Sequence, residues 1–238
     1  AGFAHVSCLA EQAKILMDEA EENNWDDDRF MPRWRRWDTC SLCEQDYHGV
    51  VACALGWACW KTYLGRPETD RARCMAMGEL GNGLSAANHD EDALSVRETE
   101  VSLRRRLGLP EEYILVVQGN LANTYQKLGR LEEAMCLRRD VYSGDLRLYG
   151  EEHKETLIDA QNYANNLLRL ERFGEVKQLL HKVLPVTRRV LGESSEIMLK
   201  MRKTYALALY YDAATLDDVR EAVTTLDETE RIARRVLG

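Results

Sequence analysis

Four residues near the start of the chain are of the types that hold zinc. His5 and Cys8 are three apart, and Cys40 and Cys43 form a Cys-x-x-Cys pair. At that spacing a turn brings a nitrogen and a sulfur, or two thiolates, onto one tetrahedral ion. Three arrangements stay open for them: zinc sites completed from outside the chain, one zinc held by all four, or a metal-free buried cluster. A second set of residues suits recognition. Asn82, Asn123 and Asn165 are 41 and 42 residues apart, and Asn120 and Asn162 sit just before the latter two. Ala86, Lys127 and Arg169 follow one helical turn later. An amide donates and accepts at once, and a cation pairs an acid, so the combination suits a peptide backbone and a carboxylate. The alternative is that these asparagines only pin neighbouring helices.

Residues for catalysis are not assembled in any familiar pattern. There is no Gly-x-x-x-x-Gly-Lys phosphate loop and no Gly-x-Ser-x-Gly elbow. Gly78, Gly81 and Gly83 are clustered, but on a predicted helix, where close helix packing explains them. His5, His48, His89, His153 and His181 share no periodicity with a nucleophile. No enzyme activity is expected from these residues.

The elements that must position the asparagines are helices. Leu121, Tyr125 and Leu128 fall at i, i+4 and i+7, and Leu179, Leu180, Val183, Val186 and Val190 form another apolar stripe. Glycines punctuate the chain at Gly65, Gly108, Gly150, Gly192 and Gly238, spaced 43, 42, 42 and 46 residues apart. Each follows a similar tripeptide context, such as Leu148-Tyr149 or Val190-Leu191. A glycine there can take the left-handed conformation that ends a helix. Ala93, Ala134, Val176 and Ala222 recur as small residues early in each second helix. The additional residues of the last unit are expected around Asp212–Leu216, between its two helices. Such helical hairpins bury their stripes only by stacking.

The run Leu121-Ala-Asn-Thr-Tyr-Gln-Lys-Leu-Gly-Arg130, then Leu131-Glu-Glu-Ala134, Tyr149-Gly-Glu-Glu-His153 and Thr156-Leu157 resembles tetratricopeptide repeats of the kinesin-light-chain type. The resemblance spans roughly residues 47 to 238. It implies an all-α, right-handed solenoid of tetratricopeptide-like helical hairpins, with units closing near 65, 108, 150, 192 and 238. It also implies that Asn82, Asn120, Asn123, Lys127, Asn162, Asn165 and Arg169 face a groove that binds a protein or peptide. His153-Lys154 and Gly192-Glu193-Ser194-Ser195 depart from the family's usual turns, and are expected to change those turns without changing the fold.

Residues 1–46 stand outside the repeat. Phe3-x-His5-x-x-Cys8-Leu9 followed by Cys40-x-x-Cys43 resembles the second half of a RING-CH-type zinc finger. That resemblance implies zinc as cofactor and a ubiquitin-conjugating enzyme as partner, with the chain as the substrate-recognition part of a ubiquitin ligase. The family's tryptophan after the His-x-x-Cys cysteine is Gln12 here, and the gap between Cys8 and Cys40 is long. The gap is expected to hold an amphipathic helix on Leu9, Ala13, Leu16, Met17 and Ala20, then an acidic, Trp-rich loop from Glu21 to Trp37. The remaining cysteines, Cys53, Cys59, Cys74 and Cys136, read as small buried hydrophobes. Trp57, Trp60 and Tyr63 read as core and His48 as a helix-start residue. The arginines at 104–105, 188–189 and 234–235 read as helix-end charges favoured by the dipole.

The functional expectation is an adaptor or scaffold; the alternatives are the ligase subunit just described and a structural subunit of a larger assembly. A net charge of −8 argues against nucleic acid as partner, since phosphate binding needs a basic surface. No apolar run approaches the roughly 20 residues of a membrane span, so no membrane insertion is expected. Seven irregularly spaced cysteines fit reduced thiols and an intracellular, cytoplasmic setting. The chain opens at Ala1 without Met and is read as a piece of a longer protein, so an organelle-targeting segment upstream stays open.

Overall fold

The computed structural model describes residues 5 to 237. The chain divides into two compact units, residues 1–109 and 110–238. In the first unit lie α1 (Val6–Glu22), α2 (Asp27–Trp34), a 3-10 turn (Arg35–Trp37), α3 (Gly49–Tyr63), α4 (Arg71–Ala86) and α5 (Asp90–Arg106). The second holds α6 (Glu111–Lys127), α7 (Leu131–Tyr149), α8 (Lys154–Arg169), α9 (Phe173–Leu191), α10 (Glu196–Tyr211) and α11 (Leu216–Leu237). Among the described residues there is no β-strand beyond one isolated bridge between Thr39 and Asp46. No described helix is long and apolar enough to cross a membrane.

The second unit is three stacked hairpins, α6/α7, α8/α9 and α10/α11, with α7 against α8 and α10 against both α8 and α9. Their apolar faces merge in one core built on Leu157, Ala160, Ala164, Leu167, Val176, Leu180 and Met201. Gly150 and Gly192 close α7 and α9 with φ of 82° and 81°, which a side chain at Cβ would resist. Gly108 does the same after α5, but Gly65 does not adopt a positive φ, so that member of the glycine series ends no helix this way. Gly238 lies outside the described residues. Both departures from the family's turns turn out to be helix caps. His153 Nδ1 accepts from Glu155 N–H at 3.3 Å, and Ser195 Oγ from Met198 N–H at 3.3 Å. The added residues of the last unit are only partly in the turn at Asp212–Thr215. They mostly lengthen α11, which has 22 residues against 19 in α7 and α9.

In the first unit, α1 buries Ala13, Met17 and Ala20 as the apolar spacing requires. The segment after it is not the loop expected from its acidic composition. Asp26 caps α2 by accepting from Arg29 N–H, and Phe30, Trp34 and Trp37, at i, i+4 and i+7, all turn inward. Phe30 and Trp34 stack at 6.2 Å, and Trp37 meets Tyr63 edge-on at 6.1 Å. These rings share a core with Cys59 and Tyr63 of α3 and with Ala72 and Ala76 of α4. Residues 5–46 are thus held by aromatic packing on α3 and α4. Arg66 reinforces this with a two-pronged ion pair to Glu21 at 2.6 and 2.9 Å.

α3 and α4 approach very closely, and Gly83 of α4 and Gly56 of α3 allow it. A Cβ on Gly83 would stand 2.6 Å from the Ala52 carbonyl oxygen, and one on Gly56 of α3 would stand 2.7 Å from that of Glu79. Backbone cannot yield as a side-chain tip can. Gly83→Ala is therefore expected to destabilise the first unit by about 2 kcal/mol, even after the roughly 1 kcal/mol that alanine gains in helix propensity. Urea unfolding followed by tryptophan fluorescence would measure it. Gly65→Ala, where a Cβ meets nothing within 4 Å, is the control expected to cost nothing measurable.

Candidate functional site

Helices α6 and α8 carry most of the expected groove residues, and α7 supplies the floor between them. Asn120 and Asn123 on α6 and Asn162 on α8 line one cavity of about 250 Å³. Beneath them lies Arg138 of α7, only 4% exposed. Its Nη2 donates to Asn123 Oδ1 and its Nη1 is 3.5 Å from Asp159 Oδ1. Asn162 Nδ2 donates to the same Asp159 oxygen at 3.2 Å. Burial lowers the pKa of Arg138, with Asp159 opposing that shift. The Arg138 Nε is buried without a hydrogen-bond partner. Gly119 on α6 borders the guanidinium: a Cβ there would sit 3.7 Å from Nη1, an ordinary contact distance.

Next along the floor is Asp145 of α7, 5% exposed and lining the cavity. Burial, then the hydrogen bond and charge of Asp159, push its carboxyl up to about 7.

The first unit repeats part of this arrangement. Asn82 Oδ1 on α4 accepts from Nη2 of the buried Arg97 on α5 at 2.8 Å. Asn82 and Asn123 therefore do pin the second helix of their own hairpins through their oxygens. Fifteen residues after Asn165, where Arg97 and Arg138 follow their asparagines, stands the buried Leu180. Asn165 is accordingly exposed without such a tie, and Lys127 and Arg169 are exposed one turn beyond the cavity. The structure brings together Asn120, Asn123 and Asn162; it does not draw Lys127, Asn165 or Arg169 into the same cavity.

Arg138, Asp145 and Asp159 were not singled out from the sequence. The signal was present: Arg97 and Arg138 are 41 apart, and Arg138 and Asp145 interrupt an otherwise apolar stripe through Ala134 and Val141.

The N-terminal cysteines belong to the first unit. His5 is the exposed N-cap residue of α1 and Cys8 lies exposed in its first turn. Cys40 and Cys43 flank a tight turn closed by Cys40 N–H to Gln45 O at 2.9 Å and Glu44 N–H to Cys40 O at 3.0 Å. Leu42 N–H reaches Cys40 Sγ at 3.5 Å. The backbone N–H groups of Leu42 and Cys43 and the Cys43 thiol lower the Cys40 pKa. The two cysteines share one turn, but among the described residues no group of three or more His, Cys, Asp or Glu is placed to hold a metal ion. The likeness to a RING-CH finger gains no support, since this segment is organised by its aromatic core. Cys59 and Cys74 are buried as expected, but Cys136 is exposed and Cys53 only partly covered. Trp57 also departs from expectation at 43% exposed, because α3 buries Leu55, Cys59 and Tyr63 instead. His48 does begin a helix, as the N-cap residue of α3.

No protein-family model matches the chain, and no curated protein matches it. Solved structures do. A Podosopora anserina protein described by its kinesin-light-chain, nearly identical TPR-like repeats aligns over 98% of this chain and 99% of its own, with 19% identity and a TM-score of 0.66. Its Q17M variant aligns over 99% of both chains at 19% identity and a TM-score of 0.65. BtubC (BKLC) from P. vanneervenii aligns over 99% of this chain and 94% of its own, with 14% identity and a TM-score of 0.69. The chain thus has the all-α, TPR-like repeat fold, and its structural neighbours are kinesin-light-chain-like repeat proteins.

Proposed function

We infer that the chain is a protein–protein interaction scaffold, and that the groove between α6 and α8 holds an extended segment of its partner. The observation that carries this is the cavity lined by Asn120, Asn123 and Asn162 over the buried Arg138. Amides that can serve both N–H and C=O groups of a peptide stand on α6 and α8, with Asn123 tied to Arg138 and Asn162 to Asp159. Val116, 64% exposed on α6, adds an apolar contact at the rim. Likeness to repeat proteins of the kinesin-light-chain type supports a scaffold rather than a catalyst.

Asn120 is the residue to test, because its side chain lines the cavity and takes part in no hydrogen bond within the described residues. Peptides selected from a random heptapeptide phage library on the purified chain supply the ligands. Asn120→Ala is expected to weaken the tightest of them about fivefold, the worth of roughly one hydrogen bond, with an unchanged melting temperature. Selected peptides that bind Asn120→Ala and Val116→Ser as well as the parent would place recognition elsewhere and remove this reading.

A further inference from the structure

The floor of the cavity has the opposite charge to the one its rim suggests from the sequence. Four carboxylates line the cavity as a whole, those of Glu112, Asp145, Glu155 and Asp159, against the one guanidinium of Arg138. Arg138 is already engaged by Asn123 and faces Asp159. Asp159 also accepts from Asn162. Asp145 is different: it is 95% buried by its 5% exposure, it lines the cavity, and no cation or N–H donor of the described residues reaches it. Its close polar neighbour is another carboxyl, Asp159. A buried carboxylate without a donor is costly, and a fold keeps one only at some expense of stability.

The repeat shows that the fold does not need these acids. Moving 42 residues on, the positions of Asp145 and Asp159 are occupied by Thr187 and Met201. Thr187 Oγ1 lies 3.2 Å from Met201 Sδ, and both residues are fully buried. The α9–α10 junction is thus closed by a neutral pair where the α7–α8 junction carries two carboxyls and a cavity.

We propose that the partner segment is basic, and that one of its lysine or arginine side chains enters the cavity and bridges Asp145 and Asp159. The step is ionic: the ammonium or guanidinium seats between the two oxygens, and the fraction of a proton that the acid pair shares near pH 7 leaves to solvent. Glu112 and Glu155 at the rim add attraction for neighbouring basic residues, and Tyr149 and the amides complete the wall. This specificity rests on the groove reading above, but is separable from it.

The same heptapeptide library tests both. Peptides enriched on the parent chain are expected to carry lysine or arginine at one fixed position. Replacing that residue with norleucine, or the protein's Asp145 with asparagine, is expected to weaken binding at least about tenfold. The double variant D145T/D159M installs the neutral pair the protein already uses at the next junction; it is expected to stay folded and to lose the same affinity. Calorimetry at pH 7 in two buffers of different ionisation enthalpy should show proton release for the parent and none for Asp145→Asn. Enriched peptides that depend on Asn120 but carry a neutral or acidic residue at the key position would overturn the basic-segment proposal and leave the groove standing. So would basic peptides indifferent to Asp145→Asn and to D145T/D159M. Failure to enrich any peptide dependent on Asn120 would end both.

Discussion

Trp34→Ala is expected to destabilise the first unit by about 3 to 5 kcal/mol, the usual cost of emptying a large aromatic site in a packed core. Trp34 is 2% exposed, stacks on Phe30 and lies 5.7 Å from the Tyr63 ring. Its Nε1–H also donates to Glu79 Oε1 at 2.9 Å. The substitution leaves a cavity and removes a donor from the half-buried Glu79 carboxyl together. All five tryptophans of the chain, at 25, 34, 37, 57 and 60, lie in the first unit. Tryptophan fluorescence in urea therefore reports that unit alone. A midpoint shift equivalent to less than about 1 kcal/mol would mean that α2 is a loosely docked appendage. Trp34→Phe keeps most of the ring and loses the donor, so it separates packing from the hydrogen bond.

Glu79→Gln should act in the other direction, and only above acidic pH. Burial, then the charge of Asp38, push the Glu79 carboxyl up to about 7, against hydrogen bonds from Trp34 and Asn82 that lower it. An acid whose folded pKa lies above its unfolded value costs stability as it ionises. The cost begins near pH 4.5, grows until about pH 7 and is constant above that. Glutamine keeps an oxygen for Trp34 Nε1–H and never ionises. The variant is expected to match the parent at pH 4 and to exceed its stability by roughly 2 to 3 kcal/mol at pH 8. Parallel urea titrations at the two pH values measure it. An equal difference at both would show that Glu79 ionises in the fold as it does in the unfolded chain.

The groove predictions differ in kind, because their readout is affinity. Asn120 and Asp145 lie in one cavity but carry different parts of the reading. Asn120 tests whether a segment lies there, and Asp145 tests what charge that segment bears. The reversal of expected charge follows from where each group sits. Lys127 and Arg169 are exposed to solvent, which screens them, whereas Asp145 is enclosed. A charge in the enclosed site governs the choice of partner more than one on the rim.

Helical type, repeat length and most helix ends were legible in the sequence, for a local reason. Apolar spacing at i, i+4 and i+7 and glycine after the last turn act within one helix, and Gly108, Gly150 and Gly192 take the positive φ that glycine adopts most readily. Asparagine positions were legible too, because the repeat copies them at 41 and 42 residues. Tertiary structure decided the rest. Composition made residues 21–37 look like an acidic loop, and only the meeting of Phe30, Trp34 and Trp37 with Tyr63 across the chain makes them a helix and a core. The cysteine spacing could be read from the sequence, but grouping into a metal site depends on which elements meet, and no such group forms among the described residues. The acid pair is the clearest case. Asp145 and Asp159 are 14 residues apart on different helices; the sequence shows only that Asp145 interrupts an apolar stripe, and it is the packing of α7 against α8 that buries it beside Asp159 and turns two carboxylates into a site for a cation.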